Sequence, residues 1–123
     1  MGIDIYMNWK DQTNDEKQAQ YTGYSIESGH VGYLREAYHG EPYATEYLVK
    51  EAFESGGGEA YIPSTVLRER LQETLKLHIE RSRKIYREDV KETDPSAKAF
   101  TDFVELAEKM TAEGNPPSII ASY

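Results

Sequence analysis

The sequence predicts a small α+β fold, a sheet that includes both terminal strands packed against three helices near residues 43–54, 64–88 and 95–112. Three patterns carry that prediction. Apolar and polar residues alternate strictly from Gly2 to Trp9, apolar residues recur at helical spacing from Ser64 onward, and a short β-branched run at 118–122 follows a proline turn. The 123 residues suit one domain, because two would leave neither with an adequate core.

Ile3, Ile5 and Met7 face one way and Asp4, Tyr6 and Asn8 the other, the period of a half-buried strand. Residues 10–17 are polar and charged, a surface loop or a frayed helical turn starting near Asn14. Residues 21–26 read as a second short strand. Ser28, Gly29 and His30 then break the chain, and residues 31–38 fit strand and helix equally well.

Pro42 suits the first turn of a helix, where its missing amide is harmless. Ala44, Tyr47, Leu48, Ala52 and Phe53 follow at three-to-four spacing, and Gly56, Gly57 and Gly58 end the segment. Residues 59–62 form a brief strand leading into Pro63. The long helix then begins, with Ser64 or Thr65 as its cap and Leu67, Leu71, Leu75, Ile79 and Tyr86 as its apolar stripe. Asp94 caps the last helix and Pro95 occupies its first turn. Phe100, Phe103, Val104, Ala107 and Met110 line its inner face, and Gly114 stops it. The final run is expected to pair with the first strand, since the ends of compact domains lie close together.

Composition narrows the chemistry. Cysteine is absent, which removes disulfides, thiolate nucleophiles and cysteine-held metals and fits a cytoplasmic setting. No signal peptide and no apolar stretch of roughly 20 residues is visible, so no membrane partner is expected. The net charge of −8 is uneven: residues 1–63 carry −7, residues 64–92 carry +2 and the remainder −3. An acidic chain repels phosphate backbones, which disfavours nucleic acid. Arg81, Arg83, Lys84 and Arg87 form the one basic cluster, and cations there complement the negative end of a helix dipole.

The densest polar cluster spans His30, Tyr33, Arg35, Glu36, Tyr38, His39, Glu41, Tyr43 and Tyr47. The spacing of His30 and His39 does not give the tight ligand pair of a zinc site, so neither metal nor cofactor is implied. Gly56 to Gly58 lack the lysine and hydroxyl of a phosphate loop, and Glu27 stands where a nucleophile elbow has its second glycine. Tyrosine and arginine together are what interfaces prefer. His30, Tyr33, Arg35, Glu36, His39 and Tyr43 are therefore the candidate binding residues. They point to a non-enzymatic interaction or regulatory module with a protein partner or a second copy of itself. The alternative is a small-ligand-binding or metal-dependent enzyme with its cleft around residues 30–43.

Met1-Gly2-Ile3-Asp4-Ile5-Tyr6, with Gly32-Tyr33-Leu34-Arg35-Glu36-Ala37 further on, resembles a group of short phage and bacterial proteins. These open Met-Gly-Leu-Asp-Met-Tyr and carry a Gly-Tyr-Trp-Arg-Lys-Ala stretch. Leu34 stands where the group has an aromatic, and Glu36 reverses the charge of its lysine. The resemblance implies a small accessory protein with Asp4, Tyr33 and Arg35 as recurring polar positions. The group has no established activity, so it implies no catalytic residue.

Overall fold

A computed structural model describes residues 2–15, 32–40 and 42–123. Four strands form one antiparallel sheet: β1 Gly2–Asn8, β2 Tyr33–Ala37, β3 Glu59–Tyr61 and β4 Ser118–Ser122, in the order β2-β1-β4-β3. The expected pairing of the two terminal strands is present, with Tyr6 opposite Ile120 and Asn8 opposite Ser118. The strand expected at 21–26 lies outside the described residues. The ambiguous stretch resolves as β2, and its alternation buries Leu34 and Glu36 on the inner face.

Between β2 and β4 run helices α1 Ala44–Leu48, α2 Lys50–Glu54, α3 Ser64–Arg81 and α4 Pro95–Ala112. They pack on one face of the sheet. Ile3, Ile5 and Met7 of β1 and Ile119 of β4 join Leu48, Leu67, Leu71, Leu75, Phe100, Phe103 and Val104 in one core. Among the described residues no helix is long and apolar enough to cross a membrane.

Five details depart from the sequence reading. The helix expected over 43–54 is two pieces, because buried Val49 takes φ −123°, ψ 40° between them. A β-branched residue gives up helical geometry readily, and the hydrogen bonds carry on through it, from Val49 N–H to Thr45 C=O and from Ala52 N–H to Val49 C=O. Pro42 precedes this helix instead of opening it, for a reason that belongs to the site below. Neither Ser64 nor Thr65 caps α3: Pro63 sits at the cap, and its C=O receives the Val66 and Leu67 amides. Asp94 does occupy the cap of α4, but with its backbone C=O. Its carboxylate turns back to accept the Lys91 N–H.

The end of the long helix differs most. The α-helix stops at Arg81, loosens into one π-helical turn at Ser82–Tyr86, and ends on Arg87 in the left-handed conformation at φ 55°. Ile79 is only half-buried and Tyr86 is exposed, so the inner stripe closes after Leu75. The buried place further along goes to Arg81, a charged residue at 3% exposure. A forked pair, Arg70 Nη1 and Nη2 on Glu51 at 2.7 and 2.6 Å, ties α2 to α3.

Candidate functional site

The period of β2 divides the candidate residues between two faces. Tyr33 and Arg35 point outward, away from the helices, while Glu36 points into the protein. Antiparallel register brings β1 alongside, with Asp4 opposite Arg35 and Tyr6 opposite Tyr33. The Tyr33 hydroxyl donates to Asp4 Oδ1 at 2.5 Å, Arg35 Nη1 donates to the same oxygen at 2.7 Å, and the Tyr6 and Tyr33 rings lie 5.4 Å apart. Residues separated by about thirty positions in sequence thus meet in one triad on the outer sheet face. Gly2 makes room beside it. A Cβ there would stand 2.6 Å from the Glu36 C=O and 3.3 Å from Arg35 Nη2.

Burial, reinforced by the hydrogen bond to Asp4, pushes the Tyr33 phenol up from 10.0 to about 12. The sign of the linkage follows. Below pH 10 both folded and unfolded chains keep the proton, and the contribution is whole. Between pH 10 and about 12 the unfolded chain ionises first, so stability falls across that window. Urea unfolding from pH 9 to 12 should therefore show a steeper loss for the native protein than for Tyr33→Phe. Equal slopes would show that the phenol is not held in this way.

On the inner face, Glu36 does structural work. Its carboxylate accepts the Ala44 N–H at 2.8 Å, the Thr45 N–H at 2.9 Å and the Thr45 hydroxyl at 2.5 Å. A side chain from a neighbouring strand therefore caps α1, which is why the helix begins at Ala44 and not at Pro42. Arg81 closes the arrangement from α3. Its Nε donates to Gly40 C=O at 2.9 Å, Nη2 to Ala37 C=O at 2.5 Å, and Nη1 lies 3.9 Å from Glu36. The guanidinium is flanked by the Tyr43 and Tyr86 rings, with centroids at 5.2 and 5.8 Å. His39 packs on Tyr86 and its Nδ1 lies 2.8 Å from the Tyr86 hydroxyl.

The six candidates are thus not gathered in one cleft. Tyr33 and Arg35 share the outer face, Glu36 and Tyr43 lie against Arg81, His39 packs on Tyr86, and His30 lies outside the described residues. Arg35 and Glu36, adjacent in sequence, face opposite ways. Among the described residues no three histidine or carboxylate side chains are close enough to hold a metal.

What β2 does border is a groove. In the sheet order, β2 has β1 on one side and no described strand on the other. The Met7 N–H bonds to the Gly32 C=O, so the backbone groups of Gly32, Leu34 and Glu36 turn toward β1. Those of Tyr33, Arg35 and Ala37 turn to the side on which no described strand lies. A cavity of about 400 Å³ runs along this edge, walled by His78 and Arg81 of α3, Tyr86 of the π-turn, and Ser96, Ala99 and Phe100 of α4.

His78 is the groove's unsettled group. Its Nε2 lies 3.2 Å from Ser96 Oγ and its ring is 5.2 Å from Phe100, but its buried Nδ1 has no hydrogen-bond partner among the described residues. Burial holds the imidazole below its ordinary pKa, against an upward pull from Glu36 and with a downward push from Arg81. A neutral imidazole with one nitrogen unpaired can donate to or accept from a ligand.

Sequence reasoning missed Arg81 and the α4 wall. Its neighbours Arg83 and Lys84 are exposed, and the signal that separates Arg81 is position: seven residues, about two helical turns, beyond buried Thr74. Ser96 gave no signal. No protein-family model, curated protein or solved structure matches the chain.

Proposed function

We propose that this protein is a non-enzymatic interaction module that takes an extended peptide of a protein partner along the edge of β2 that no described strand occupies. The observation that carries the reading is the coincidence of edge and groove. Tyr33 and Arg35 present backbone donors and acceptors at strand spacing, and Ala37 presents its N–H. Beside them lies a largely apolar groove deep enough for side chains. An added strand satisfies the first and fills the second at every other residue. Glu36 and Arg81 hold the frame, with their hydrogen bonds spent inside the fold.

The end of the edge is fixed as well. Arg81 occupies the Ala37 C=O, which stops a ladder there and limits the docked segment to about five residues. The enzyme alternative has less support, because its proposed residues His39, Arg35 and Glu36 point to three different surroundings.

The test begins with panning a displayed random-hexapeptide library on the protein. Amide NMR shifts are then recorded with a synthetic copy of a selected peptide. Tyr33, Arg35 and Ala37 amides should move most, and Arg35→Pro, which deletes an outward N–H without touching the β1 ladder, should abolish binding. Arg35→Ala, which keeps that N–H, should still bind. A library without binders, or shifts confined to another face, would overturn the reading.

A further inference from the structure

Resting on that reading, we infer the chemistry of the accepted strand: an acidic residue opposite Arg35, with an apolar residue on each side of it. The geometry of an added strand makes this a matter of register. Residues directly opposite across a ladder project to the same face, parallel or antiparallel. The ligand residue paired with Arg35 therefore projects onto the outer sheet face, next to the Arg35 guanidinium. Its two neighbours project to the inner side, opposite Leu34 and Glu36, into the groove walled by Ala99, Phe100 and Tyr86.

Charge sets the first preference. The Arg35 side chain is 48% exposed, and its Nη1 donates to Asp4. A guanidinium has five N–H groups and can bridge two carboxylates. The chain as a whole is acidic, but charges beyond about 8–10 Å are screened at physiological salt, so the local sign decides the contact. The groove sets the second preference, since Glu36 and Arg81 spend their hydrogen bonds inside the fold and Ala99, Phe100 and Tyr86 present ring and methyl surfaces to be covered.

The same register argues against a second copy of this chain as the occupant. Two β2 edges pairing antiparallel over their whole length would set one Arg35 directly against the other, an unfavourable like-charge pair.

The experiment uses the full chain and capped pentapeptides Thr-Leu-Xaa-Leu-Thr, with Xaa as Glu, Gln or Lys, plus Thr-Ser-Glu-Ser-Thr. Binding is read by amide shifts and by calorimetry. Glu should bind best and Lys worst, a spread on the order of tenfold, shrinking with added salt. Arg35→Glu should reverse the order. Should that variant fold poorly beside Asp4, Arg35→Gln should erase the preference instead. The serine peptide should bind weakest of the glutamate-bearing pair. Equal affinities for all three Xaa peptides, with Tyr33 and Arg35 amides still shifting, would overturn this inference and leave the edge reading standing. No shift of those amides with any peptide would overturn both.

Discussion

Replacing Arg81 with methionine is expected to destabilise the protein by about 3–5 kcal/mol, the usual consequence of removing one partner from a buried charged pair. The methionine fills much of the same space, so packing is not the main loss. The substitution strips hydrogen bonds from the Ala37 and Gly40 carbonyls and leaves Glu36 a buried carboxylate without its cation. It also removes the cation from between the Tyr43 and Tyr86 rings. Urea unfolding followed by circular dichroism reads the change directly. Glu36→Gln should be milder, because an amide oxygen still accepts one of the α1 amides. A loss below about 1 kcal/mol for Arg81→Met would mean that the pair is solvated in solution, as exposed salt bridges are.

Phe103→Ala is expected to cost a similar amount by a different route. Phe103 is fully buried at the middle of α4 and is the largest of the fully buried side chains among the described residues. Truncation deletes most of its transfer energy and leaves a cavity that the sheet above cannot collapse into, together about 3–5 kcal/mol. For a chain of this size that corresponds to a fall in Tm of roughly 10–20 °C. Phe103→Leu should recover more than half. The two substitutions act at separated places, one at the groove frame and one in the core, so their losses should add to within about 0.5 kcal/mol. Strong non-additivity in thermal unfolding would show that groove frame and core are coupled.

These two residues also mark what could and could not be read from the chain. Phe103 was legible, because α4 repeats apolar residues at helical spacing between a proline and a glycine, and local pattern decides such a helix. β1 and β4 were legible for the same reason, and so was their pairing. Arg81 was not. A buried arginine is defined by what it meets, here the Ala37 and Gly40 carbonyls some forty positions away, and no local period encodes that. The start of α1 shows the same limit. Pro42 is a good local signal, but Glu36 supplies the cap from a strand, and the tertiary hydrogen bond wins. The Asp4, Tyr33 and Arg35 triad stands between these cases. Each residue was singled out one by one, yet only the antiparallel register shows that they touch.

The place of β4 in the sheet has a consequence for how the molecule is made. β4 lies between β1 and β3, yet it follows the described helices α1–α4 along the chain, and Asn8 meets Ser118 across 110 positions. A ribosome therefore delivers β1, β2, β3 and the described helices α1–α4 before the strand that joins β1 to β3. Until then β1 has one side unpaired and the apolar row Ile3, Ile5 and Met7 incompletely covered, a template for wrong partners. Closing so long a span is slow relative to local steps. Among these elements the sheet is therefore completed only after residues 118–122 emerge, and β1 is exposed to misassembly and to chaperones until then.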